Sequence, residues 1–409
     1  MKYLVLLGDG MADFPVPELD DRTPLAASET PGMDRAVCEG ISGLFCPIPD
    51  SLPAGSDVGN LSIFGYNPEL CFTGRAPLEA VNQGIPLGED DIAFRCNLVT
   101  LRDGKMVDFT ADHISSEEAA KLIAALNDRL SGEDIEFFAG VSYRHICIVG
   151  GHLGRDEGLI GLKCTPPHDI IDKEYNIYLP NGVSSSLVLN LMRASRDVLE
   201  THPVNVARRE AGKGPATSIW LWGQGRAPNM ESYAERFGIS GAVISAVDLV
   251  NGIGRSAGFE VIRVPGATGY LDTDYEGKVS AALGALERVD FVYLHVEAPD
   301  EAAHEGDAEL KVRAIEDFDA RVVSPCLAWA AERGDCRVLI APDHVTALST
   351  RTHAGGPVPF ALVGPGIVPN GLSCFSEEEA ARAGVLYRAG HELVPAMLSE
   401  EEIVFPRVQ

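Results

Sequence analysis

Phe291-Val292-Tyr293-Leu294-His295-Val296-Glu297-Ala298-Pro299-Asp300-Glu301-Ala302-Ala303-His304 begins as an apolar run and ends on two metal-ligand residue types. A run this short and apolar predicts a strand buried on both faces, as in a parallel sheet covered by helices. A helix starting after Pro299 would set Asp300 and His304 on one face, since residues i and i+4 stack along a helix. Two other runs read the same way: Tyr3 to Leu7 ends at Asp9, and Val338 to Ala341 ends at Asp343-His344. Helical stretches at Ser186–Glu200, Glu276–Leu286 and Glu309–Arg333 fall among these runs, so the expected class is α/β with a mostly parallel sheet. In such sheets ligands gather beyond the carboxyl ends of the strands. His353 stands just before Ala354-Gly355-Gly356-Pro357, in a loop expected on the same rim.

One stretch departs from this pattern. Phe94–Leu101 and Lys105–Phe109 alternate around Asp103-Gly104, a hairpin signal. Ser115 with Glu118 three residues on is a capping box that starts a helix, and a strand near Tyr143–Val149 follows. The stretch predicts a smaller α+β domain inserted at 92–180, with 1–91 and 181–409 forming the core.

Composition narrows the function classes. The chain has 409 residues and a net charge of -27. That balance argues against nucleic-acid binding, which relies on Lys and Arg neutralising phosphates, and any anionic substrate needs a local basic pocket within a repelling field. The nine Cys residues are scattered without a CxxC pair, which predicts free thiols in a reducing cytoplasm. Tyr3–Leu7 is too short for a signal-peptide core, and no apolar stretch is long enough to span a membrane.

Mixed carboxylate and imidazole ligands suit divalent manganese, zinc or a similar ion. Asp9, Asp300, His304, Asp343, His344 and His353 with a serine oxygen are too many for one catalytic ion and suit two, which can clamp both oxygens of a phosphoryl transfer. Any one of these residues alone reads as a cap, turn or surface group; their set at three strand ends is what points to metal. The nucleophile candidate is Ser56, in Pro53-Ala54-Gly55-Ser56-Asp57-Val58-Gly59-Asn60, at the expected start of a helix where N–H groups favour phosphate. Metal coordination is one way to activate a serine hydroxyl. Taken by itself, Ser56 reads as an N-cap.

Together, Gly8-Asp9-Gly10, the Ala54–Asn60 stretch, Asp300 to His304, Pro342-Asp343-His344 and His353 resemble the archaeal type of cofactor-independent phosphoglycerate mutase, a family of the alkaline phosphatase superfamily. Thr73-Gly74-Arg75-Ala76-Pro77-Leu78-Glu79-Ala80 and Trp220-Leu221-Trp222-Gly223-Gln224-Gly225 also carry the resemblance. It implies an alkaline-phosphatase-like core and two divalent ions, manganese first, with zinc, magnesium or cobalt as alternatives. Asp9, Ser56, Asp343 and His344 would hold one ion, and Asp300, His304 and His353 the other. The implied activity is interconversion of 3- and 2-phosphoglycerate in glycolysis through a phosphoserine, on a small phosphorylated substrate, with no nucleic acid or membrane partner. Ala76 stands where the family usually has Gly, and Thr217-Ser218 where it usually has an Asn, both near substrate-facing positions. The anion-binding candidates are Arg75, Arg95, Arg144, Arg208 and Lys213, since Arg suits planar anions. A phosphatase, a homoserine-type phosphotransferase and a non-enzymatic metal binder stay open as alternatives, although the chain has no GxxxxGK[ST] loop for nucleotide phosphates.

Overall fold

In the computed structural model, Lys2–Gly8 is a strand buried almost throughout. It forms the middle of an eight-stranded sheet ordered Leu386–Tyr387, Ile41–Phe45, Val358–Val363, Cys336–Ala341, Lys2–Gly8, Phe291–Val296, Gly241–Ile244, Glu260–Val261. Residues 1–399 and 405–407 are described. The first strand runs parallel to both neighbours, and Leu7 stands level with His295 on one side and Ala341 on the other. Three strands therefore end at one edge, and the residues that follow them emerge together. Val358–Val363 is antiparallel to Cys336–Ala341, and Ile41–Phe45 to Val358–Val363.

The apolar runs are explained by what covers them. Leu4, Leu6, Leu294 and Val296 pack with Tyr275, Leu286, Phe318 and Cys326 from covering helices. Phe64 lies against Tyr293, ring centroids 4.1 Å apart.

The helix expected over 309–333 is not continuous. Ala308–Phe318 passes through a π-turn, Asp319–Val323, into Ser324–Arg333. Pro325 brings no N–H to the ladder, and a wider turn accommodates that loss. The buried Asp319 then accepts from Gly32 N and Met33 N, capping the helix Pro31–Glu39 from across the fold.

The chain divides into two units, Met1–Phe72 with Asn229–Gln409, and Thr73–Pro228. The second is wider than the expected 92–180. Its central strand, Ile92–Arg102, pairs antiparallel with Arg144–Val149 on one side and with Ser218–Gly225 on the other. The second partner comes from beyond residue 180, so the sheet draws the later chain into the unit. The Asp103-Gly104 turn has positive φ at both residues, 50° and 79°, as a type I′ hairpin requires. The Ser115–Glu118 capping box is present and starts Ser116–Leu130. Among the described residues, all nine cysteines are free, and no helix is long and apolar enough to cross a membrane.

Candidate functional site

Five of the candidate ligands follow strands that end at the common edge. Asp9 follows Lys2–Gly8, and Asp343 and His344 follow Cys336–Ala341. Asp300 and His304 share a face of the helix Ala298–Glu305, with His304 Nε2 3.1 Å from Asp300 Oδ2. That helix begins one residue before Pro299. His353 is not in a loop: Val345–Ala347 and Thr352–Ala354 form a small hairpin whose register sets His353 opposite Thr346, which returns the imidazole to the cluster.

Two groups result. Ligand atoms of Asp9, Asp343 and His344 lie within 4.8 Å of one another, as do those of Asp300, His344 and His353. His344 belongs to both, which the resemblance did not imply. His304 joins the second group through Nε2, 3.0 Å from His353 Nε2. His304 Nδ1 lies 3.0 Å from the Arg351 carbonyl, which can only accept, so Nδ1 carries a proton and Nε2 faces the cluster.

Ser56 is the first residue of the helix Ser56–Ile63; Gly55 is the N-cap, and no side chain caps it. The Ser56 hydroxyl is therefore not used for capping. Its Oγ lies 3.1 Å from His344 Nε2. A Cβ on Gly59 would come 2.5 Å from the Asp343 carbonyl oxygen, so this glycine lets the helix approach the Asp343 turn.

The electrostatics fit cations. Asp9 Oδ1 is buried without a hydrogen-bond partner, 3.3 Å from His344 Nε2. Burial first, then the Asp343, Asp300 and Glu297 carboxylates, push Asp9 well above the ordinary carboxylate range. Burial opposes ionisation of Asp300 too, but hydrogen bonds from His304 and His353 hold it well below that range. His304 is raised to about 9, chiefly by its hydrogen bond to Asp300. Acceptor atoms converging around a retained proton are a donor set suited to divalent metal ions.

Three residues, His295, Asn60 and Thr346, support the ligand side chains in roles that sequence motifs alone do not assign. His295 Nε2 is 2.9 Å from Asp9 Oδ2 and its Nδ1 is 3.1 Å from Ser245 Oγ. Burial, then Lys278, lowers His295 to about 3, so a neutral imidazole bridges Ser245 and Asp9. Asn60 donates to Asp343 Oδ2 at 2.7 Å and accepts from the Tyr293 hydroxyl at 2.8 Å. Thr346 Oγ1 lies against Asp300 and His344. The signal for His295 was a lone imidazole inside an otherwise apolar strand, where a buried polar group needs a partner.

Among the anion-binding candidates, Arg208 needs correcting. It is buried, with Nη1 2.7 Å from Glu118, Nε 3.0 Å from Gly214 O and Nη2 2.7 Å from Ala111 O; its donors are committed to the second unit's core. Lys213 is exposed in the turn after Pro203–Glu210. Arg75 and Arg95 share Glu79, at 3.2 and 2.9 Å. Arg95 also lies over Trp222, 4.2 Å from the ring centroid, and burial lowers it to about 10. His168 belongs with them: burial, and the nearby Arg95 and Arg75 charges, lower it. Arg144 is exposed beside the Tyr143 ring. Ala76 is a core residue, and Thr217 and Ser218 bond to the main chain, Leu101 N donating to Thr217 and Ser218 donating to Met192 O.

A family model described as 2,3-bisphosphoglycerate-independent phosphoglycerate mutase matches residues 38–205. The mutase of that name from Methanosarcina acetivorans is 52% identical over 380 residues, covering 92% of this chain and 94% of the relative. A probable mutase of the same description from Geobacter sulfurreducens is 50% identical over 97% of this chain and all of its own length. A solved structure from Pyrococcus horikoshii superposes with a TM-score of 0.80 at 30% identity over 98% of each chain. The cofactor-independent phosphoglycerate mutase of Thermoplasma acidophilum shares the fold, with a TM-score of 0.65 at 24% identity over 98% of this chain and all of that one. With half its residues shared with such relatives across nearly the whole length, this chain belongs to the 2,3-bisphosphoglycerate-independent phosphoglycerate mutases.

Proposed function

We propose that this chain is a cytoplasmic glycolytic enzyme that interconverts 3-phosphoglycerate and 2-phosphoglycerate through a phosphate ester on Ser56. The observation that carries this reading is the position of the Ser56 hydroxyl. It is free of capping, at a helix start that favours phosphate, and 3.1 Å from His344 Nε2 among the acidic and imidazole groups. Asp9, Ser56, Asp343 and His344 would hold one divalent ion, and Asp300, His304 and His353 the other, with His344 near both; manganese suits the set, and zinc, magnesium or cobalt would meet the same atoms. When bound, such ions hold phosphoryl oxygens and offset their charge.

In the first half-reaction Ser56 Oγ forms a bond to phosphorus as the bond to the C3 oxygen breaks. The serine proton ends on that oxygen. In the second half, the C2 hydroxyl oxygen forms a bond to phosphorus as the bond from phosphorus to Ser56 Oγ breaks, and the C2 hydroxyl proton ends on Ser56 Oγ. Glycerate must stay bound and reorient between the halves while water is kept away. Arg75, Arg95 and Arg144 are proposed to bind the anionic groups, with Glu79 fixing the first two.

The test is to load full-length protein with manganese, supply 3-phosphoglycerate, and follow 2-phosphoglycerate and free phosphate together. The expected product is 2-phosphoglycerate. Free phosphate as the dominant product would mark a phosphatase, and no reaction would point to another acceptor such as homoserine.

A further inference from the structure

We propose that Thr346 is a positioning residue whose hydroxyl joins the two ligand groups, fixing the tautomer of His344 while holding Asp300. The inference rests on the two-ion reading given above. Thr346 is fully buried on the strand Val345–Ala347. Its Oγ1 lies 2.6 Å from Asp300 Oδ1 and 3.0 Å from His344 Nδ1. A hydroxyl has one proton to give and lone pairs to receive. The Asp300 carboxylate can only accept, so it takes the Thr346 proton. His344 must then donate Nδ1–H to Thr346 Oγ1. The remaining ring nitrogen, Nε2, keeps its lone pair, and it is the one that faces Ser56 Oγ at 3.1 Å, Asp9 Oδ1 at 3.3 Å and Asp343 Oδ2 at 3.4 Å. One hydroxyl thus orients a ligand of each group, and outer partners of this kind set ligand geometry and basicity.

The fold holds Thr346 firmly. Its carbonyl accepts from the buried Lys311 Nζ at 2.7 Å, and the same ammonium reaches Asp13 Oδ2 at 2.8 Å and Ala12 O at 3.2 Å. Thr346 N donates to Ala12 O at 3.2 Å. Gly10 completes the seat: with φ of +60°, a Cβ there would lie 2.5 Å from Thr346 Oγ1 and 2.6 Å from Asp300 Oδ1.

The experiment is calorimetric titration of manganese into metal-free full-length wild type, Thr346→Ser and Thr346→Val. It is joined to nitrogen-15 spectra of the histidine rings of the metal-free protein. Valine keeps the shape and removes both hydrogen bonds; serine keeps both. Thr346→Val should weaken binding of both ions by about 10- to 100-fold, Thr346→Ser should bind as wild type does, and wild-type His344 should carry its proton on Nδ1. Valine binding both ions normally, or weakening only one, would overturn the proposal, and so would a wild-type His344 protonated on Nε2. If the valine variant does not fold, the wild-type tautomer and the serine titration decide. Wild type that takes up no manganese would overturn the two-ion reading along with this one, whereas normal uptake by Thr346→Val would overturn this one alone.

Discussion

At the scale of single residues, a group's contacts separate chemistry from support. Ser56 gives nothing to capping, since Gly55 is the N-cap of its helix. Ser56→Ala should therefore abolish turnover and cost less than about 1 kcal/mol, the typical loss for a serine that does cap; activity assays with urea unfolding check both. Substantial activity in this variant would end the covalent route. His145 shows the opposite case, a residue whose contacts are structural and which carries a clear pH signature. Its Nδ1 accepts from Gly140 N at 3.0 Å, and burial lowers it to about 3. Below the ordinary histidine value of about 6.5 the unfolded chain binds a proton that the folded chain refuses. This contribution to stability is complete above 6.5 and is lost as pH falls towards 3. Replacing His145 with Asn removes the titrating group and keeps an acceptor. Between pH 7.5 and pH 5 the variant should gain up to about 2 kcal/mol on wild type, and parallel loss in both proteins would contradict this.

At the scale of elements, the close approach of the helix Ser56–Ile63 to the Asp343 turn gives a prediction whose sign differs from intrinsic propensity. Alanine for glycine inside a helix ordinarily stabilises by about 1 kcal/mol. At Gly59 the new Cβ would meet main-chain oxygen of Asp343 at 2.5 Å, so Gly59→Ala should destabilise by about 1–3 kcal/mol and weaken metal binding; an unfolding curve and a manganese titration test it. The same helix shows what could be read from the sequence. Apolar runs that stop abruptly reveal the strand ends, and with them Asp9, Asp300 and Asp343, because a strand buried on both faces has little periodicity but clear limits. The hairpin at Asp103-Gly104 and the capping box at Ser115 follow from local backbone chemistry. Pairing over distance is not local: Ser218–Gly225 joins the second unit through its ladder with Ile92–Arg102, and nothing near residue 218 announces it. Arg208 misleads for a related reason, since a guanidinium reads the same whether water or Glu118 surrounds it. His353 was expected in a loop because a three-residue strand is too short to show alternation.

At the scale of the whole molecule, the net charge of -27 acts on anything that approaches. It concentrates divalent cations and repels phosphorylated acids, and both effects weaken as salt screens the field. KM for 3-phosphoglycerate at saturating metal should therefore fall as ionic strength rises from about 0.01 to 0.15 M, the range over which the screening length drops from about 30 to 8 Å. A rising KM would show that local arginines outweigh the global field. The sheet order has a further consequence, in the time domain of biosynthesis. Lys2–Gly8 is made long before either of its neighbours, Phe291–Val296 and Cys336–Ala341. At about 5–20 residues per second, this apolar segment waits on the order of tens of seconds on the ribosome before its ladders can close. The strands of Thr73–Pro228, by contrast, find all their partners within that unit. The nascent chain thus carries an unpaired hydrophobic strand until Phe291–Val296 and Cys336–Ala341 emerge, which makes it a natural client for holdase chaperones over that interval.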